Sequence, residues 1–181
     1  MKKVLIYLLL SAFTPFLKAQ QVQSIQEAMA NYDYENALTL IAHEDSLTVP
    51  LLYQKGRALK GLGRNAEALD VFRLLTVQDS LNPRAYIEAG ECYKTLGKFQ
   101  PALQCYRRVL DLKPDHKYAH IQYIGQLLNL QKYQEALGES TSLAEQDSSA
   151  TILHLKAQSL EGLYTCLLYT SDAADERSSV D

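Results

Sequence analysis

Residues 83–116 open with Pro83-Arg-Ala-Tyr86-Ile-Glu-Ala89-Gly90-Glu-Cys92-Tyr93 and continue Lys-Thr-Leu96-Gly97-Lys-Phe99-Gln-Pro101-Ala102. They close with Leu-Gln-Cys105-Tyr106-Arg-Arg-Val109-Leu-Asp-Leu-Lys113-Pro114-Asp-His116. Small and bulky residues alternate here in a fixed order: aromatic, small-Gly pair, aromatic, Gly, aromatic, Ala, aromatic, Pro. The same order recurs on either side, with Ala68, Ala102 and Ala136 each 34 residues apart. Repetition at that period is the mark of stacked helical hairpins, in which each unit buries its apolar face on the next. Within the hairpin, Gly90 and Ala102 are the expected points of closest helix approach, with Tyr86, Tyr93, Phe99 and Tyr106 filling the space around them. Asn82-Pro83 reads as an N-cap followed by a proline at the first helical position, where a missing N–H costs nothing. Gly97 after Leu96 marks a helix end that needs a left-handed backbone. Pro114 closes the second helix by restricting Lys113, and Pro101 falls in a first turn, where it is tolerated.

The flanking copies are looser. Residues 49–82 carry Leu52, Gly56, Leu59, Gly63, Ala68, Phe72 and Leu75 in the same order, and residues 117–150 carry His120, Tyr123, Leu127, Tyr133, Ala136 and Leu143. Ile124 takes the slot of Gly56 and Gly90, which points to a wider hairpin or a shifted helix register. Ile25, Ala28, Tyr34, Ala37 and Ile41 form a degenerate first repeat over 20–48, as a solenoid cap does. A further first helix begins at 151–165 through Leu153, Ala157, Leu160 and Leu163 and is cut short. Helices are expected near 21–31, 35–43, 50–62, 65–78, 83–96, 99–112, 117–130, 133–146 and 150–163, with no period-two stretch competing. These residues resemble the tetratricopeptide repeat. The resemblance implies an all-α fold: a right-handed superhelical solenoid of antiparallel hairpins.

The two ends read differently. Residues 1–19 have Lys2 and Lys3, a short apolar core and Ala19 before Gln20, the layout of a secretory signal peptide rather than a membrane anchor. No cysteine near the cut supports a lipid anchor. The expected location is outside the bacterial cytoplasm, in the periplasm or at the outer membrane. Cys166-Leu-Leu-Tyr-Thr-Ser-Asp-Ala-Ala-Asp-Glu176 resembles a translated transposon-end sequencing adapter, and Ser179-Val180-Asp181 fits the adapter's continuation. This resemblance implies that 166–181 is an artefact, that native sequence ends at or before Thr165, and that the natural chain is longer. An apolar stripe within 152–163 is then left open and favours association.

The whole chain has a net charge of −3, with no Lys/Arg run, so nothing favours nucleic acid. Cys92 and Cys105 stand about equally far from the Gly97 turn and form a possible disulfide; two small core thiols are the alternative. His116 and His120, with Asp115 beside them, share a helical face but lack further metal ligands, so packing or capping is expected. No phosphate loop, Ser/His/Asp constellation or supported carboxylate pair appears. No enzyme activity, cofactor, metal or small-molecule substrate is expected.

The resemblance implies that the first helix of each hairpin lines a partner-binding groove. Its ligand-facing slots fall on Tyr53, Arg57 and Lys60, then on Arg84, Ile87, Glu91 and Lys94, then on Tyr118, Ile121 and Leu128. Aromatic, aliphatic and oppositely charged groups together suit an extended peptide or a partner helix. The family's Lys/Asn clamp for a C-terminal carboxylate is not inherited, because Tyr53 and Arg57 fill the first repeat's clamp slots and Glu88 and Glu91 stand on the path. The expected function is an exported protein-binding scaffold. The alternatives are the N-terminal sensory or docking part of a membrane-bound kinase or transcription regulator, and an accessory subunit of an envelope enzyme complex.

Overall fold

The computed structural model describes residues 23–44 and 46–178, so the expected signal peptide lies outside the described residues. They form nine helices and no strand. These are α1 (23–30), α2 (Tyr34–Ala42), α3 (Val49–Gly61), α4 (Asn65–Gln78), α5 (Pro83–Thr95), α6 (Phe99–Leu112), α7 (Lys117–Asn129), α8 (Tyr133–Gln146) and α9 (Ala150–Ser178). The architecture is an all-α helical-repeat solenoid. The spans of α4, α6 and α8 are those expected, while α2 and α3 lie one residue earlier and α5 and α7 end one residue sooner. α9 runs far past its expected end at 163, and no glycine or proline between Leu163 and Ser178 interrupts it. No described helix is long and apolar enough to cross a membrane.

Contacts group the chain into two compact units, Met1–Ser80 and Leu81–Asp181. In the first, Ile25, Ile41 and Leu51 form one buried cluster and Ala28, Ala37 and Ala58 another. In the second, a continuous cluster runs from Ala102 and Tyr106 through Ile124 and Leu127 to Ile152 and Leu155.

Local chemistry explains the turns. The Asn82 side chain accepts a hydrogen bond from the Arg84 N–H at 3.1 Å, capping α5 ahead of Pro83. His116 caps α7 through Nδ1, which accepts from the Ala119 N–H at 3.3 Å, so this histidine has a capping role. Gly63 and Gly97 have φ of 74° and 69° at equivalent turns, and Gln131 takes the same place between α7 and α8 with φ 57°, as Tyr32 does between α1 and α2 with φ 60°. A glycine slot in the repeat is thus filled by a residue that has to hold a left-handed backbone.

Small-against-large packing joins the paired helices. A Cβ on Gly56 would lie 2.6 Å from the Phe72 ring, and one on Gly90 would lie 3.0 Å from the Tyr106 ring and 3.3 Å from Cys105 Cβ. Gly90 therefore meets a ring and a cysteine as its nearest neighbours, rather than Ala102. Ile124 does not shift the register, since α5 and α7 each have 13 residues and α6 and α8 each have 14. Its bulk is matched instead on the second helix. Ser140 occupies the place of Phe72 and Tyr106, and Ile124 and Ser140 are both fully buried. Volume has changed sides. A second contact joins successive hairpins: Tyr34 lies over Gly61 and Tyr133 over Gly162, each ring 2.2 Å from where a Cβ would stand.

Candidate partner-binding face

The two units place their expected ligand-facing residues differently. In the first, the Tyr53 ring stands edge-on to Phe72 at 6.0 Å, so this tyrosine takes part in hairpin packing. Arg57 is exposed and Lys60 half-buried on the same helix.

In the second unit, α5 and α7 are tied by two side-chain bonds. Tyr118 Oη donates to Glu91 Oε1, and Lys94 Nζ donates to Gln122 Oε1 at 2.8 Å. Partial burial and the Glu91 carboxylate both push the Tyr118 phenol up, so it stays protonated as a donor. The Gln122 bond begins a run of amides along α7. Gln126 is buried, donates to the Gln122 carbonyl at 3.3 Å and accepts from Asn129 Nδ2 at 3.3 Å. Among the described residues this leaves the Gln122 amide N–H groups and the Asn129 carbonyl oxygen without a partner.

That run edges a cavity of about 610 Å³, lined also by Leu128, Tyr133, Leu155, Gln158, Glu161 and Thr165. Of the residues expected from the repeat slots, Lys94 and Leu128 line it, and Glu91 and Tyr118 meet beside one another. Ile121 and Leu128 both pack on the core cluster, Ile87 is half-buried, and Arg84 is exposed without lining the cavity. The slots did not reveal Gln122, Gln126 or the α9 residues Gln158, Glu161 and Thr165. Gly125 and Asn129 line the cavity too and were not among the expected residues.

Cys92 and Cys105 are free thiols, so the possible disulfide is not formed. The reason is angular. Cys105 packs beside Gly90, and residues two apart on a helix point about 200° from each other, which turns Cys92 to a different side of α5. Burial pushes the Cys105 thiol up to about 11. A second cavity of about 580 Å³ lies between α6, α7 and α8, lined by Arg107, Asp111, His120, Tyr123, Glu135 and Glu139. His120 Nε2 is 2.7 Å from the Pro114 carbonyl oxygen. Among the described residues no group of three or more His, Cys, Asp and Glu could hold a metal ion.

Packed hairpins with a polar first-helix face define a class of helical-repeat protein. The tetratricopeptide repeat family model matches residues 83–116. Among solved structures, a tetratricopeptide repeat protein from Parabacteroides merdae superposes with a TM-score of 0.75 at 18% identity, covering 81% of this chain. The chain spans only 60% of that protein. MamA 41-end from Desulfovibrio magneticus gives a TM-score of 0.71 at 18% identity, over 88% of this chain and 95% of that one. The first tetratricopeptide domain of Spaghetti (RPAP3), bound to an HSP90 peptide, gives 0.59 at 22%, over 67% and 98%. These likenesses show the fold. No curated protein matches the chain in sequence.

Proposed function

We propose that this chain is an exported, non-enzymatic scaffold that captures an extended peptide segment of a protein partner on the α5–α7–α9 face. The observation that supports it most directly is the amide run of Gln122, Gln126 and Asn129 beside the cavity. An extended peptide presents backbone N–H and C=O groups in alternation, and an unused amide donor and carbonyl acceptor one helical face long meet both. Leu128 and Tyr133 offer apolar surface for an anchor side chain, while Lys94 favours an acidic group near the α5 edge. Tetratricopeptide domains bind protein or peptide partners, as in the RPAP3 complex with an HSP90 peptide. The carboxylate clamp is not part of the reading, because Tyr53 is committed to Phe72. Residues 1–19 support export by their sequence alone.

Selection of peptides from a displayed random library against the full chain tests the proposal. Selected peptides are expected to lose at least tenfold in affinity, about 1.4 kcal/mol, on a chain carrying Leu128→Glu with Asn129→Ala. Helix content should stay unchanged. Peptides that bind this variant as tightly as the unaltered chain would place recognition on another surface.

A further inference from the structure

The terminal helix α9 presents three faces. Ile152, Leu155 and Ser159 are buried against the core, and Gln158, Glu161 and Thr165 line the cavity described above. The third face carries Leu153, Ala157, Leu160 and Tyr164, spaced four, three and four residues apart. It is open: Leu153 is 49% exposed, Leu160 48% and Tyr164 65%. All four residues precede the segment that resembles adapter sequence.

Aligning the first helices by their starting residues identifies this face. Leu153, Ala157 and Leu160 of α9 stand where α3 has Leu52, Gly56 and Leu59, and where α7 has His120, Ile124 and Leu127. In α3 the middle residue lies against the following helix, Gly56 beneath the Phe72 ring, and Leu52 and Leu59 are only 2% and 3% exposed. The open face of α9 is therefore the one whose middle slot meets the second helix in the α3–α4 and α5–α6 hairpins. Those hairpins also state what the covering helix must carry. A small residue in the middle slot meets a ring (Gly56 with Phe72, Gly90 with Tyr106), and a bulky Ile124 goes with Ser140. Ala157 is small.

We infer that the Leu153–Ala157–Leu160–Tyr164 face of α9 is a docking site for an amphipathic helix with a small residue and, four residues on, an aromatic ring. That chemistry is the one in Ala68 and Phe72 of α4 and in Ala102 and Tyr106 of α6. The site is distinct from the peptide-binding face and does not depend on it. Seating such a helix completes a hairpin and buries the four apolar side chains, which gives the docking its driving force. The ring supplies selectivity, since overfilling or underfilling the slot is penalised.

The test uses the full chain and a synthetic helix with the sequence of residues 64–79, stapled between positions 70 and 74 on the face that α4 leaves exposed. Saturable binding by fluorescence anisotropy is expected, with at least a tenfold loss for the peptide carrying Phe72→Ser. Ala157→Ile in the chain should reverse that order, favouring the Phe72→Ser peptide. Leu160→Glu should abolish binding of both while leaving helix content intact, since Leu160 is half exposed. The inference is overturned if neither peptide binds saturably or if Leu160→Glu leaves binding unchanged. It is equally overturned if light scattering shows the chain dimerising through α9 and the peptide fails to compete.

Discussion

At the scale of single residues, two positions carry a cost that the neighbouring repeats avoid. Gln131 holds φ 57° where Gly63 and Gly97 stand in the two preceding hairpins, and a left-handed backbone costs a non-glycine residue roughly 1 kcal/mol. Gln131→Gly is expected to stabilise the chain by about 1 kcal/mol at most, read as a higher midpoint in thermal denaturation. Tyr106 is fully buried, its phenol pushed up by burial, and its hydroxyl has no hydrogen-bond partner. Phe72 fills the same place without that oxygen. Tyr106→Phe should therefore stabilise the chain by about 1 kcal/mol, because an unsatisfied buried hydroxyl costs about that much or more; a lower midpoint in denaturant would contradict it. The crossings within hairpins were legible in part: the 34-residue spacing picks out Gly90 and the rings around it, but it points to Ala102 as the contact where the structure has Tyr106 and Cys105. The amide run was not, since Gln122 and Gln126 read as ordinary helix residues until the fold shows their bonds.

Elements meet through contacts that the repeat pattern announces only in part. Tyr34 and Tyr133 each begin a second helix and lie over a glycine, Gly61 or Gly162, in the next first helix. Those glycines fall outside the pattern's recognised small slots, and so were not picked out in the sequence. Glycine inside a helix is unfavourable by about 1 kcal/mol relative to alanine, so Gly162→Ala would stabilise an open helix. Here the added methyl falls 2.2 Å from the Tyr133 ring, and the variant should lose about 1–2 kcal/mol net, read as a lower melting temperature. Ile124 shows the complementary lesson: its slot looked like a defect until Ser140, two repeats on from Phe72, proved to be its counterpart. An ion pair between Lys117 Nζ and Asp147 Oδ2 ties the start of α7 to the end of α8. The lysine bond, aided by the Ser149 backbone N–H, holds the Asp147 carboxyl below its ordinary value of 3.8. A depressed carboxyl contributes stability above its unfolded value and loses it as pH falls through the folded one. Asp147→Asn should therefore flatten the acid side of the stability curve below about pH 4, as followed by circular dichroism.

At the scale of the whole molecule, stability is a sum over hairpins rather than the property of one centre. Residues 81–181 hold their own uninterrupted cluster from Ala102 to Leu155. Expressed alone, that segment is expected to keep the helix content and cooperative melt of its part of the full chain; a non-cooperative melt would show that its cluster is insufficient. The all-α hairpin fold was readable because side-chain volume recurs with a fixed period, a signal summed over more than a hundred residues. The chemistry of the binding face was less readable, since peptide recognition rests on a few amide bonds whose partners lie a repeat away.

The Tyr133 ring seated in the notch of Gly162 gives α9 a discrete latch. Drawn outward from its carboxyl end, the terminal helix should resist until that single ring slips free and then let go all at once. The trace under tension would be a staircase with one riser per hairpin, its first riser shortened once the notch is filled.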